Sequence, residues 1–216
     1  PESTLFDRHV KGDVKQLFWQ PILEIYRTQR REMAAIALIS ATFSFQLSAT
    51  VNFMSKYLQE THHFAPPEVS FLFIVAGSVA LFGTTVAGRV SDRVGRRPTL
   101  VAALVMNCLA NIAFYNISGF LLPLAWIAAL FSFFAVEVMI NAMGGELFTT
   151  RCRSTASTLR SIASMFAAVA GLAIEGTLFN ILGSHAAAIS LLSLSSLLAI
   201  PVIILMLRET SQTELS

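Results

Sequence analysis

The sequence predicts an all-α integral membrane protein built on six transmembrane helices. Three observations lead there. Of the 216 residues, 55% are hydrophobic and only 13% are charged, with a mean hydropathy of +0.66; an ordinary soluble domain carries about 25% charged residues. Apolar runs of about 20 residues recur along the chain, each long enough to cross a hydrocarbon core of about 30 Å. And 14 of the 15 Lys and Arg residues fall on one side: in the leading segment, the tail and alternate connections or, for Arg160, a turn or two into the run that follows one.

Six runs can be drawn: Met33–Leu58, Val69–Ala87, Pro98–Asn116, Phe120–Leu147, Thr155–Leu182 and His185–Leu207. They are helices rather than strands, because membrane strands need only about 10 residues and alternate in polarity. A helix also satisfies its own backbone inside lipid. Residues 1–32 read as a linker, residues 33–207 as the six-span unit and residues 208–216 as a tail. In the linker, Trp19, Ile22, Ile25 and Tyr26 suggest a short amphipathic helix on the membrane surface. No secretory signal pattern opens the chain. It begins on Pro1 rather than Met, so a piece of a longer or processed protein is expected.

The connections differ. Tyr115–Gly119 and Gly183–Ser184 are short and uncharged, so the helices they join should be antiparallel neighbours. Gln59–Glu68 holds His62, His63 and the pair Pro66-Pro67, an ordinary loop that could also sense pH. Gly88–Arg97 and Phe148–Ser154 are basic. The linker carries Arg8, Lys11, Lys15, Arg27, Arg30 and Arg31; the second connection Arg89, Arg93, Arg96 and Arg97; the fourth Arg151 and Arg153, with Arg160 a turn or two into the next run; the tail Arg208. Only Lys56 lies on the other side. The positive-inside rule then puts both termini in the cytoplasm, and the cell (inner) membrane is the expected location.

Polar residues inside the runs are costly and call for a reason. Glu137 lies nine residues before Glu146, about 14 Å in from that end at 1.5 Å per residue. Asn141 shares its face at i+4. A mid-depth carboxylate with an amide beside it suits substrate binding or proton coupling, or a hydrogen bond to a neighbouring helix. Glu175 lies near the far surface, as a solvated or gate position. Arg160 either snorkels or lines an inner gate. Gln46, Thr50 and Asn52 cluster in the first run with Ser48, facing either a pathway or another helix. Asn107 and Asn111, at i+4, suit helix packing. Gly77, Thr84 and Gly88, and Ser164, Ala168 and Gly171, form small-residue stripes that allow close packing.

The second connection, Gly88-x-x-x-Asp92-Arg93-x-Gly95-Arg96-Arg97, is more ordered than a topogenic loop requires. Gly88 lets a helix end approach a neighbour, Gly95 permits a tight turn, and Asp92 is placed to cap a helix N-terminus. The arginines can pair with a carboxylate at another helix end.

This pattern resembles the G-x-x-x-D-R-x-G-R-R motif of the major facilitator superfamily, where it lies between spans 2 and 3 and again between spans 8 and 9. Three further stretches are similar to sequences of its sugar-porter, metabolite–proton symporter and organic-ion transporter members. Pro1–Ser3 resembles the start of the central linker. Gly144–Ser157 resembles the signature after span 10, through Glu146 and Arg153, with Thr149 where proline is usual. Leu207–Thr210 resembles L-P-E-T after span 12, with Arg208 for proline. "FQLSATVN" is a weaker echo of a span-7 motif and points to Gln46; Asn52 stands one residue beyond the motif's asparagine and is a candidate through the polar cluster alone. The resemblance implies one half of a major-facilitator-type helical bundle, spans 7–12, whose N-terminal six-helix half is missing from this chain. It further implies a small-molecule substrate moved across the lipid bilayer by alternating access, with no cofactor, metal or nucleic acid.

Two other classes of function stand beside this one. An intramembrane enzyme lacks support: no G-x-S-x-G or H-E-x-x-H motif and no aspartate pair appears. A non-transporting receptor or scaffold stays compatible with six spans.

Overall fold

The computed structural model describes residues 14–209, with side chains from residue 19 onward. Pro1–Ser3, Arg8, Lys11, the side chain of Lys15 and Thr210 lie outside the described residues. A short helix α1 (Val14–Thr28) is followed by α2 (Arg30–Glu60), α3 (Pro66–Val94), α4 (Arg96–Asn116), a 3₁₀ turn at Gly119–Leu121, α5 (Leu122–Leu147) and α6 (Arg153–Leu182). The last span is made of α7 (His185–Ser193), a 3₁₀ stretch at Leu194–Leu198 and α8 (Ala199–Met206). Among the described residues, six segments are long and apolar enough to cross a membrane. No strand occurs among the described residues.

Each boundary has a local cause. The Glu68 carboxylate accepts the Ala65 backbone N–H at 2.7 Å and starts α3, whose first residues are Pro66 and Pro67; proline suits the first helical turn, where its missing N–H has no intrahelical role. Gly183, left-handed at φ 68°, ends α6, a conformation that suits glycine. The Ser184 hydroxyl then caps α7 by accepting the Ala187 N–H at 3.4 Å. Pro201 lies three residues after the 3₁₀ stretch; it lacks an N–H and its ring crowds the carbonyl four residues back, which tightens the helix there.

The basic connection expected at Gly88–Arg97 is not a loop. Residues Gly88–Val94 are the last two turns of α3, Gly95 alone breaks the helix, and α4 begins at Arg96. Apolar run lengths mark where lipid ends, not where the helix ends.

α2 packs chiefly against α6 and the last span, while α5 packs against α3 and α4. The core forms two apolar clusters. One, around Ile36, Phe43, Leu104 and Met139, lies toward the arginine-bearing end. The other, around Met54, Phe114, Trp126 and Ile189, lies toward the end that holds His62. Between them runs a buried polar layer: Gln46 donates to Asn107 Oδ1 at 2.9 Å, Asn111 to the same oxygen at 3.0 Å, and Asn107 to Ser132 Oγ at 3.1 Å. Asn107 and Asn111 thus have the packing role their spacing suggested.

α2 and α6 approach closely at Gly171. A Cβ there would overlap the Phe45 carbonyl oxygen, and Ser48 Oγ donates to the Ala168 carbonyl at 2.8 Å beside it. The other stripe differs from expectation: added Cβ atoms at Gly77 and Gly88 meet nothing, whereas one at Gly83 would strike the Phe131 ring. α3 and α6 are the least buried spans.

Helix α1 packs against α2 and α6. Ile25 is buried with the core rather than turned outward, so the exposed face is Trp19, Leu23 and Tyr26. Ile25 in the core and Gln20, whose side-chain oxygen accepts from Arg151 at 2.7 Å, both tie this helix to the bundle.

Candidate functional site

At the arginine end, the turn at Gly95 (φ 115°) lets Arg96 fold back over the end of α3. Its guanidinium joins three elements. Nη1 reaches Asp92 Oδ1 at 2.9 Å and also the Ser91 hydroxyl; Nη2 and Nε reach Glu146 Oε1 of α5 at 2.8 and 3.2 Å. Arg96 and Glu146 are mostly shielded, with side chains 15% and 21% exposed, so this forked contact is worth more than a solvated pair. Glu209 adds the tail: its carboxylate accepts the N–H groups of Arg96 at 2.7 Å and Arg97 at 3.2 Å, capping α4. Asp92, expected to cap a neighbouring helix, pairs with Arg96 instead, and Glu209 occupies the α4 N-terminus. Arg97 donates to the Ile204 carbonyl at 2.6 Å, and Arg31 to that of Leu205 at 2.5 Å. Arg93 is exposed on the surface. The residues of three separated sequence motifs therefore converge on one guanidinium and the helix start beneath it.

Further in, α5 and α6 carry a chain of polar contacts. Asn141 Nδ2 donates to Glu137 Oε2 at 3.3 Å, and Arg160 Nη2 donates to Asn141 Oδ1 at 2.9 Å. Glu137 and Arg160 are half-buried and Asn141 is exposed. The amide stands between the two charges, with its oxygen toward the cation and its nitrogen toward the anion. The i+4 spacing of Glu137 and Asn141 was readable; the link to Arg160, from the next helix, was not. Toward the arginine end lies a cavity of about 210 Å³ that Asn141, Arg153 and Arg160 help to line.

The first-span candidates separate. Gln46 is wholly buried in the polar layer and reaches no open surface. Asn52 is exposed and donates to the Ser48 carbonyl at 2.7 Å.

Glu175 is not solvated. It is 1% exposed and sits 2.6 Å from His185 Nδ1. The imidazole is stacked between Phe179, 4.0 Å away, and Phe53, 4.6 Å away. Burial in so apolar a place demands a partner for a carboxylate. The signal for it was a histidine opening the next run just across the two-residue turn. Nearby, His62 packs edge-on against Tyr57. Burial, and then the neighbouring His63, hold the His62 imidazole below its usual pKa.

Comparison with known proteins decides what kind of bundle this is. The family model described as Major Facilitator Superfamily matches residues 35–216. The chain belongs to the major facilitator superfamily. Its fold is similar to that of the xylose transporter XylE from E. coli in an inward open conformation, at a TM-score of 0.62 and 13% identity, covering 82% of this chain and 47% of that one. It is also similar to a bacterial homologue of the human lysosomal transporter Spinster, inward-facing and unoccupied, at a TM-score of 0.59 and 16% identity, covering 88% of this chain and 48% of that one. No curated protein sequence matches it. This superfamily chain thus spans about half the length of the solved structures it resembles. Its least buried helices, α3 and α6, together with Glu137, Asn141 and Arg160, lie on one unit of a fold that is twice as long in those relatives.

Proposed function

We propose that this chain is the C-terminal half of a secondary transporter that moves a small organic solute by alternating access, with the arginine end in the cytoplasm. Membership of the superfamily and the half-length match support the architecture. The observation that carries the functional reading is the Glu137–Asn141–Arg160 chain. It joins a carboxylate, an amide and a guanidinium on two helices read as spans, where charge costs roughly several kcal/mol and is kept for a use.

In this reading Arg96, Glu146, Asp92 and Glu209 clamp the arginine end in one state and part in the other. Glu137 takes up the coupling proton: when protonated, its carboxyl no longer attracts the Asn141 amide as an anion, and the link to Arg160 is freed to rearrange. Gln46 and the polar layer hold the helices in register, and Asn52 faces the open side.

Uptake into proteoliposomes bearing the full-length protein tests this, with labelled sugars, carboxylic acids and organic cations offered under an imposed pH gradient. A solute should accumulate against its gradient, and Glu137→Gln should leave exchange intact while abolishing the response to the pH gradient. Uptake with the same pH response in Glu137→Gln contradicts the coupling role. No uptake of any class favours a non-transporting membrane protein.

A further inference from the structure

Among the described residues, the cavity at the arginine end of α5 and α6 is lined by two cations and no acid. Its volume is about 210 Å³, and its polar lining is Arg153, Arg160, Asn141 and Ser157, with the backbone of Gly144 and Gly145 opposite; the remainder is apolar. Arg153 and Arg160 are seven residues apart, two turns of one helix, so both guanidinium groups rise from the same face of α6. Arg160 has a neutral amide oxygen as its hydrogen-bond partner. The Arg153 Nε is buried and has no hydrogen-bond partner among the described residues. Buried donors are normally satisfied, and an unsatisfied one on a cation is costly. Ser157 adds a hydroxyl at the exposed rim, and Asn141 adds an amide that holds Glu137 one residue away from the arginines.

We propose that this cavity binds an oxyanion: the carboxylate or phosphate group of a small organic anion, held by Arg153 and Arg160. Two forked donors on one face fit planar carboxylate or tetrahedral phosphate oxygens. A bound oxyanion would satisfy the orphaned Arg153 donor and draw Arg160 off Asn141, leaving the Asn141–Glu137 pair to readjust. Resting on the transporter reading above, this makes the cargo an organic acid or phosphate ester rather than a sugar or a cation.

The test works whatever the cargo is. Ser157→Cys is introduced into the full-length protein, with Cys108 and Cys152 replaced by alanine, in nanodiscs of phosphatidylcholine. Labelling rates are compared for an anionic sulfonatoethyl and a cationic trimethylammonioethyl methanethiosulfonate, each normalised to its rate with free glutathione. The anionic reagent should be favoured by about tenfold or more, as in clefts lined by one sign of charge. Arg153→Gln and Arg160→Gln should each reduce that preference, and Arg160→Lys should keep it. Inorganic phosphate and succinate should slow labelling, while glucose and choline should not.

Equal normalised rates, or no protection by phosphate or succinate, overturn the site; the arginines are then neutralised by carboxylates of the remainder of the protein. Protection that appears only when phosphatidylglycerol is added to the nanodiscs assigns the site to a lipid headgroup and overturns the cargo. Protection by succinate with no uptake of any solute supports the site and sinks the transport reading. Uptake of a sugar without anion protection does the reverse.

Discussion

The carboxylate of Glu209 closes the start of the helix that begins at Arg96, accepting its backbone N–H at 2.7 Å. The tail of the chain thereby caps a helix 113 residues upstream, using the favourable placement of negative charge at a helix N-terminus. Glu209→Ala should lower stability by about 1 kcal/mol, the typical worth of an N-cap. Thermal unfolding of the reconstituted protein reads it, with Gln59→Ala as a surface control. Equal midpoints for the two variants would mean the cap contributes nothing.

Gly171 and Gly77 make a matched pair. At Gly171 an added methyl would overlap the Phe45 carbonyl oxygen, and at Gly77 it would meet nothing. Gly171→Ala should therefore destabilise by at least about 2–3 kcal/mol through overpacking. Gly77→Ala should be neutral, or stabilising by up to about 1 kcal/mol from helix propensity. Chemical unfolding in mild detergent compares them; similar losses at both positions would refute the α2–α6 contact at that register.

Glu175 and His185 should behave as a unit. His185→Ala leaves a side chain that is 1% exposed without its hydrogen-bond partner, a change that costs about 1–3 kcal/mol for a buried polar group. Adding Glu175→Gln should recover much of that loss, so the double variant costs less than the two single changes summed. Strict additivity would show that the two side chains do not interact.

Legibility in the sequence differs by feature. The six spans were legible because lipid forces each crossing to be a continuous apolar run, and the spans found start and stop within a few residues of the runs at most ends. The exception is α3, which continues through Gly88–Val94: Asp92 and Arg96, four residues apart, hold the chain together across the Gly95 break, and hydropathy does not register that. Glu137 with Asn141 was legible from i+4 spacing within one helix. Arg160 as their partner, Glu209 as the α4 cap and His185 as the partner of Glu175 were not, because each contact joins elements whose relative rotation only packing decides. Gln46 shows the same limit in reverse: its position in the run was readable, its inward face was not.

Acid should weaken the end that holds His62. Burial and His63 lower the His62 pKa from its usual 6.5 in the folded protein, so the folded state keeps the imidazole neutral while the unfolded chain binds a proton first. Its contribution to stability is therefore intact above about pH 6.5 and declines as pH falls below that value. His62→Gln should flatten the fall in unfolding midpoint between about pH 7 and pH 5. An unchanged slope would rule out His62 as its source.

Reciprocal accessibility of the two ends tests alternating access most directly. In a background with Cys108 and Cys152 replaced by alanine, single cysteines are placed at Ser157, on the arginine-end cavity, and at Thr61, on the cavity of about 330 Å³ at the opposite end. Alkylation rates are then compared with and without Glu146→Gln, which breaks the clamp on Arg96. If the clamp stabilises one of two states, the rates at Ser157→Cys and Thr61→Cys will shift in opposite directions. Rates that rise or fall together, or that do not change, contradict a two-state transporter held by this clamp.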